Sequence, residues 1–357
     1  MTVATTSNEG LPILVAKGMV KHFPLAGGWL GRSNGSIAAV DDCSLALASG
    51  ETLGVVGESG CGKSTLARML IDLVVPDSGH VEIEGSAINL RARADVRRLR
   101  RAVQLVFQDS YASLNPRHTA VEEVAFGLSA LGHPRREAMK RASEALRLVG
   151  LAPELFSGRY PHELSGGQRQ RVNIARALAI DPKVLILDEA VSALDKSVQA
   201  QVLNLLVELK AKLGLSYIFI SHDLDVVRFI SDRVVVMYLG KIVETGPVER
   251  IYRTPAHQYT KALIASRLSM NPNKRTSQPP LTGDPPSPVN PPPGCRFAAR
   301  CPIAEPVCRT TSPALHVMDN TVSHRAACYA SIPGSGHTHA PAAIDRSETI
   351  EVGHDSQ

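Results

Sequence analysis

From about residue 11 to 265 the hydrophobic pattern keeps changing period, with short β-branched runs alternating with stretches in which apolar positions recur every third or fourth residue. Runs dense in Val, Ile and Leu, rather than alternating with polar residues, read as strands covered on both faces. Their alternation with helices reads as an α/β domain with a largely parallel sheet. The predicted strands are Thr52–Gly57, Val103–Phe107, Val184–Asp188, Tyr217–Ser221 and Arg233–Tyr238. Between the third and the fourth, Val198, Val202, Leu205, Leu206, Leu209 and Leu213 form one helical stripe with Glu208, Lys210 and Lys212 off it, which predicts a helix over 197–213 packed on the sheet.

Near residue 270 this pattern stops. Pro279, Pro280, Pro285, Pro286, Pro288 and Pro291 to Pro293 can continue neither a helix nor a sheet ladder. The chain therefore divides into a main domain over 11–268, a proline-rich linker over 269–294, a cysteine-bearing segment over 295–330 and a tail over 331–357 that its Gly, Ser and His content predicts to be disordered.

Composition adds exclusions. With 357 residues and 44% hydrophobic content the chain can bury a large core without disulfides or metals. No stretch approaches the roughly 18 apolar residues a membrane span needs, and the N-terminal MTVATTSNEG lacks a basic-then-apolar leader. The expectation is a cytosolic protein that meets membranes through a partner. A net charge of +5 reads as an ordinary solvated surface and does not argue for nucleic acid. The basic run Arg91 to Arg101 alternates with Val96 and Leu99 at helical spacing and reads as a solvated helix.

The densest chemistry is Gly57-Glu58-Ser59-Gly60-Cys61-Gly62-Lys63-Ser64-Thr65, between the strand 52–57 and a helix predicted over 64–73. Strand, glycine-rich loop and helix are the context of a phosphate loop: backbone N–H groups curl around phosphate oxygens, Lys63 reaches the outer phosphates and the Ser64 hydroxyl can ligate magnesium. One such loop and no internal repeat predict a single nucleotide domain. The strand 184–188 ends in Asp188-Glu189 at the carboxyl edge of the sheet, giving Asp188 to the magnesium shell and Glu189 to an attacking water as general base. An Asp-Glu pair after an apolar strand is common by chance. Beside a phosphate loop it becomes informative.

Leu164-Ser165-Gly166-Gly167-Gln168, placed between the two motifs, is similar to the signature of the ABC ATPases. The collinear order strengthens the likeness: Gln108 matches that family's Q-loop, Ser192-Ala193-Leu194-Asp195 its D-loop and His222 its switch histidine. The resemblance implies a P-loop NTPase fold with a RecA-like core, a helical subdomain over about 109–180 and an antiparallel β-subdomain, binding ATP and magnesium. It implies that Gln108 touches magnesium or the lytic water, that His222 bonds the γ-phosphate and that Phe23 stacks on adenine. It also implies that Ser165, Gly166, Gly167, Gln168 and Asp195 serve the nucleotide of an opposite subunit.

Further stretches, Gly54–Thr65, Ala112–Arg117, Arg159–Gln168 and His257–Leu263, resemble the oligopeptide and dipeptide importer ATPases over about residues 11 to 330. That likeness implies a second related ATPase as partner, two membrane permease subunits, a solute-binding protein acting indirectly, and a peripheral place on the cytoplasmic face of the inner or plasma membrane. Importers of nickel complexes or sugars, and a non-transport iron–sulfur ABC ATPase, are the alternatives. The chain departs from the family pattern at Ala190 and Ser110, where Pro is usual; the first predicts a looser loop after Glu189 and the second an altered coupling contact.

Cys295, Cys301, Cys308 and Cys328 are separated by five, six and nineteen residues, looser than paired zinc-ribbon cysteines. A 4Fe–4S cluster, a structural zinc site and plain buried cysteines all fit the residues alone. Cys295-Arg296-Phe297 and Arg300-Cys301-Pro302 resemble the tail of peptide-importer ATPases, some of which hold an iron–sulfur cluster, and this favours the first. His324 could replace a thiolate but reads as a surface residue, and His337 and His339 fall in the expected tail.

Overall fold

The computed structural model describes residues 11–25, 35–266, 286–318 and 323–342. Most of the linker expected over 269–294, and residues 343–357 of the expected tail, lie outside them.

The strands are β1 (Leu14–Pro24), β2 (Ser36–Leu47), β3 (Thr52–Val56), β4 (Ser78–Ile83), β5 (Ser86–Ala87), β6 (Val103–Val106), β7 (Val184–Asp188), β8 (Ser216–Ile220), β9 (Arg233–Tyr238), β10 (Lys241–Pro247), β11 (His316–Val317) and β12 (Arg325–Ala326). The helices are α1 (Lys63–Met69), α2 (Arg93–Ala102), α3 (Ala120–Ala130), α4 (Arg135–Leu148), α5 (Pro153–Phe156), α6 (Gly166–Leu178), α7 (Lys196–Leu213), α8 (Leu224–Ile230), α9 (Val248–Arg253), α10 (Gln258–Ala265) and α11 (Pro306–Thr310).

Strands β6, β7, β8, β3 and β9 lie side by side in parallel, and β10, β12 and β11 extend the same sheet antiparallel beyond β9. Every residue of β3, β7 and β8 is buried, as expected of apolar runs covered on both faces. Two apolar clusters do the covering. One joins α7, α8 and the helical region α3 to α6 to one face; the other joins α1 and α2 to the opposite face and to the small antiparallel sheet of order β2-β1-β4-β5.

Each expected strand of the large sheet is present to within about a residue at either end. The helix expected over 64–73 is shorter, because the chain leaves α1 after Leu70 and Asp72 takes the left-handed conformation with φ 57°. The helical region holds α3, whose first turn is closed by Thr119 and Glu122 as a capping box, and α4, whose buried Ala138, Ala142 and Ala145 join the same apolar cluster as α3 and α6. The basic run forms α2, with Leu99 its one buried residue.

The expectation of disorder from 331 does not hold for residues 331–342. His337 is buried and its Nε2 lies 2.9 Å from the Ile303 carbonyl oxygen. His324, expected at the surface, is also buried, with Nε2 2.7 Å from a Glu244 carboxylate that is itself fully enclosed. Both corrections come from contacts distant in sequence, which composition does not reveal.

Leu206 on α7 is fully enclosed against the sheet. Leu206→Ala is expected to lower stability by about 3 kcal/mol, through lost apolar burial and the cavity it leaves. Urea denaturation of the full chain measures it.

Candidate functional site

The phosphate-loop segment leaves β3 at its carboxyl end and passes into α1. Its backbone needs glycine at two points of close approach. A Cβ on Gly57 would lie 2.2 Å from the Met237 carbonyl oxygen, and one on Gly62, at φ 107°, would lie 2.0 Å from that of Ala39. Lys63 is 5% exposed, and its ammonium donates to the carbonyl oxygens of Gly57 at 2.7 Å and Glu58 at 2.9 Å. Cys61 turns inward: its thiol is buried, burial raises its pKa, and its backbone alone remains for a ligand.

A cleft of about 420 Å³ lies over this loop. Ser59, Gly60, Gly62, Lys63, Ser64 and Thr65 form its floor, Phe23, Ile37 and Ala39 one wall, and Gln108 and Glu189 the other. Sequence reading found Phe23 but missed Ile37 and Ala39, which come from the small sheet; Ile37 is the cross-strand partner of Phe23.

The strand ends meet at the cleft, where Gln108 and Glu189 line it and Asp188 and His222 stand behind Ser64 and Glu189. Asp188, at the end of β7, is 3% exposed and accepts a hydrogen bond of 3.0 Å from the Ser64 hydroxyl. Burial holds the Asp188 carboxyl above its ordinary pKa, against the opposing effect of that bond. A desolvated carboxylate next to a hydroxyl is a hard oxygen pair of the kind that suits magnesium. Glu189 takes φ 48°, a strained value for a side chain with a Cβ. Its Oε2 accepts from Gln108 Nε2 at 3.0 Å and lies 3.3 Å from His222 Nδ1. One carboxylate thus gathers the glutamine after β6 and the histidine after β8.

Proline would restrict the residue before it, and Ala190 removes that restriction at Glu189. The loop is nevertheless pinned. The Glu189 amide donates to the Ile220 carbonyl oxygen at 3.0 Å, and the Ser192 hydroxyl donates to the Glu189 carbonyl oxygen at 2.9 Å. At the other departure, the Ser110 carbonyl oxygen accepts from Asn173 Nδ2 at 3.1 Å.

The signature residues are elsewhere. Ser165 caps α6, its hydroxyl accepting from the Gln168 amide at 3.3 Å while the Gln168 side chain accepts from the Ser165 amide at 2.9 Å. Gly167 packs against Val198, where a Cβ would lie 2.4 Å from the valine methyl. Asp195 caps α7, and the Val198 amide bonded to it, with the Ser197 hydroxyl, holds its carboxyl below the usual range. None of Ser165, Gly166, Gly167, Gln168 or Asp195 lines the cleft over the phosphate loop of their own chain.

Cys295, Cys301, Cys308 and Cys328 line one small cavity of about 20 Å³, together with His257 and His337. Desolvation pushes the Cys295 thiol up to about 11 and raises Cys301 and Cys328 as well. Among the described residues no group of three or more His, Cys, Asp or Glu side chains is arranged to hold a metal ion, so neither the iron–sulfur nor the zinc expectation gains a metal-binding geometry. His324 is not in the cavity wall; it pairs with Glu244.

A parallel sheet with a glycine-rich lysine loop and paired carboxylates at its carboxyl edge defines the class of P-loop nucleotide triphosphatases. Residues 40–192 match the family model described as ABC transporter, and 243–308 match that of the oligopeptide/dipeptide transporter C-terminal region. The chain is 48% identical over 335 residues to a probable peptide ABC transporter ATP-binding protein, y4tS, of Sinorhizobium fredii, covering 93% of this chain and 94% of that one. It is 47% identical to the oligopeptide transport ATP-binding protein OppF of Escherichia coli, covering 90% and 97%. A similar solved structure, of the ATP-binding cassette MJ0796 as a dimer bound to ADP and Pi, superposes with a TM-score of 0.58 at 30% identity, covering 66% of this chain and 98% of that one. The chain belongs to the ABC transporter ATP-binding proteins, in their oligopeptide/dipeptide branch, and is an ATPase.

Desolvation pushes the pKa of enclosed His257 down to about 4 from an ordinary 6.5, against the pull of Glu244. A lowered folded pKa means that this contribution to stability is complete above about pH 6.5 and is lost as pH falls toward 4, a total of about 3 kcal/mol. His257→Asn is expected to flatten the stability profile across that window, measured by urea denaturation at stepped pH.

Proposed function

We propose that this chain powers a bacterial importer of dipeptides or oligopeptides, acting as one half of a two-subunit ATP sandwich beneath two membrane-embedded permease subunits. The observation that carries the reading is that the signature residues and the phosphate loop of one chain do not share a cleft. The signature residues at the start of α6 lie outside the chain's own phosphate-loop cleft. The helix-opening amides at Gly166 and Gly167, with Ser165, Gln168 and Asp195, then serve the nucleotide of the facing subunit. Support comes from the dimeric form of the similar cassette and from the peptide-transport names of the relatives. The same names favour peptides over nickel complexes or sugars. The facing subunit is proposed to be a second, related ATPase, with a solute-binding protein delivering the peptide.

In this reading the glycines and Lys63 hold the phosphates of ATP and Phe23 stacks on adenine. Ser64, Asp188 and Gln108 hold magnesium, which when bound offsets phosphate charge. Glu189 orients and deprotonates the attacking water, Gln108 and His222 fix its carboxylate, and His222 bonds the γ-phosphate. Among the described residues no helix is long and apolar enough to cross a membrane. Attachment to the cytoplasmic face would therefore come through the permease subunits.

The 4Fe–4S cluster is kept as a second proposal on the donor set alone: four thiols share one cavity wall, and His257 Nε2 in that wall has no hydrogen-bond partner among the described residues. Cys295, Cys301, Cys308 and Cys328 would hold it. Anaerobic protein is expected to carry about four irons and four sulfides per chain. A colourless preparation without them would sink this proposal.

Glu189→Gln is expected to lower ATP turnover by at least about a hundredfold while retaining MgATP binding. Turnover near that of the wild type, in the complex with its membrane subunits, would overturn the catalytic assignment. Co-purification with those subunits and a peptide-loaded binding protein tests the transport reading.

A further inference from the structure

The C-terminal segment reaches back to the phosphate loop at Glu58. Arg300 stands 242 residues further along the chain, and its side chain is 6% exposed. Its guanidinium makes two hydrogen bonds to the Glu58 carboxylate, Nη1 to Oε2 at 2.8 Å and Nη2 to Oε1 at 3.1 Å. The Glu58 amide donates to the Tyr259 hydroxyl at 2.8 Å, and the Glu58 carbonyl oxygen accepts from Lys63 at 2.9 Å. Side chain, amide and carbonyl of one loop residue are thus each held, two of them from beyond the nucleotide domain's core strands.

The holders are themselves fixed. Tyr259 is fully enclosed, with its ring 4.5 Å from that of Tyr238 and 5.5 Å from that of Phe297. Phe297 is 2% exposed and begins the turn that ends at Arg300, closed by the Arg300 amide donating to the Phe297 carbonyl oxygen at 2.9 Å.

We propose that Arg300 and Tyr259 are positioning residues for nucleotide binding: they fix the backbone of Glu58 and, through it, the turn on which Lys63 rests. A loop that binds phosphate through its amides loses affinity in proportion to the time it spends in other conformations. The two-pronged bond to a carboxylate suits a planar guanidinium and is poorly reproduced by an ammonium. Because the loop grips ground state and transition state alike, its loosening falls on affinity and KM more than on kcat.

The inference rests on the proposed nucleotide role of the loop, and the full-length wild-type chain tests that role first. Failure of the wild type to bind MgADP sinks both. With binding established, Arg300→Gln is expected to raise the Kd for MgADP and the KM for MgATP by roughly tenfold with kcat within about twofold, and Arg300→Lys should fall between. Glu58→Gln should reproduce the loss, and the double variant should be no worse than either single one. A Kd for Arg300→Gln within about twofold of wild type, or losses at 58 and 300 that add, would overturn the inference. Should Arg300→Gln fail to fold, Glu58→Gln carries the same test with the C-terminal sequence intact.

Discussion

In the centre of the large sheet, polar chemistry emerges at the strand ends. Hydrocarbon covers both faces there, and β3, β7 and β8 are buried along their whole length. Polar side chains can therefore leave the sheet where strands end. Parallel pairing puts those ends together: Gly57 follows β3, Asp188 closes β7, Ser221 and His222 follow β8, and Gln108 stands just past β6. Glu189 sits at the centre because its neighbours on either side are also strand ends. Antiparallel pairing of the same strands would have sent half of these residues to the opposite edge.

What the sequence disclosed follows from how local each signal is. Strands buried on both faces carry their signature in their own letters, so the middle of the large sheet could be read directly, as could the loop whose Gly, Lys and Ser spacing is fixed by a phosphate. The small sheet could not. Strand β1 changes register three times against β2, Gly18 within it takes φ 57°, and Asp42 in β2 takes φ 56°. These irregularities break the two-residue alternation on which strand reading depends. Ile37 and Ala39 were hidden for that reason. Arg300 and His337 were hidden for another, since each looks like a surface residue until its partner, 242 or 34 positions away, is brought beside it.

The C-terminal segment is joined to the nucleotide domain by aromatic packing as much as by charge. Phe297 stands edge-on to Tyr238, 5.4 Å between ring centres, and leans on Tyr259 and His257 at 5.5 and 6.0 Å. Such contacts add to the burial of the rings themselves. Arg296 reinforces the join by bonding the Leu239 carbonyl and the Asp41 carboxylate. The four cysteines therefore belong to a segment docked on β9 and α10 rather than to a detached appendage.

That docking also decides what the large sheet shows to other molecules. Without β12, strand β10, paired with β9 on its other side, would present a free outer edge along its seven residues, a template for an unrelated strand. Instead Glu244 and Thr245 pair with Ala326 and Arg325, and the sheet ends on β11, which is two residues long. At the far side β6 has four residues. The large sheet thus ends on a short strand at either side, which limits backbone pairing of that sheet with an unrelated strand.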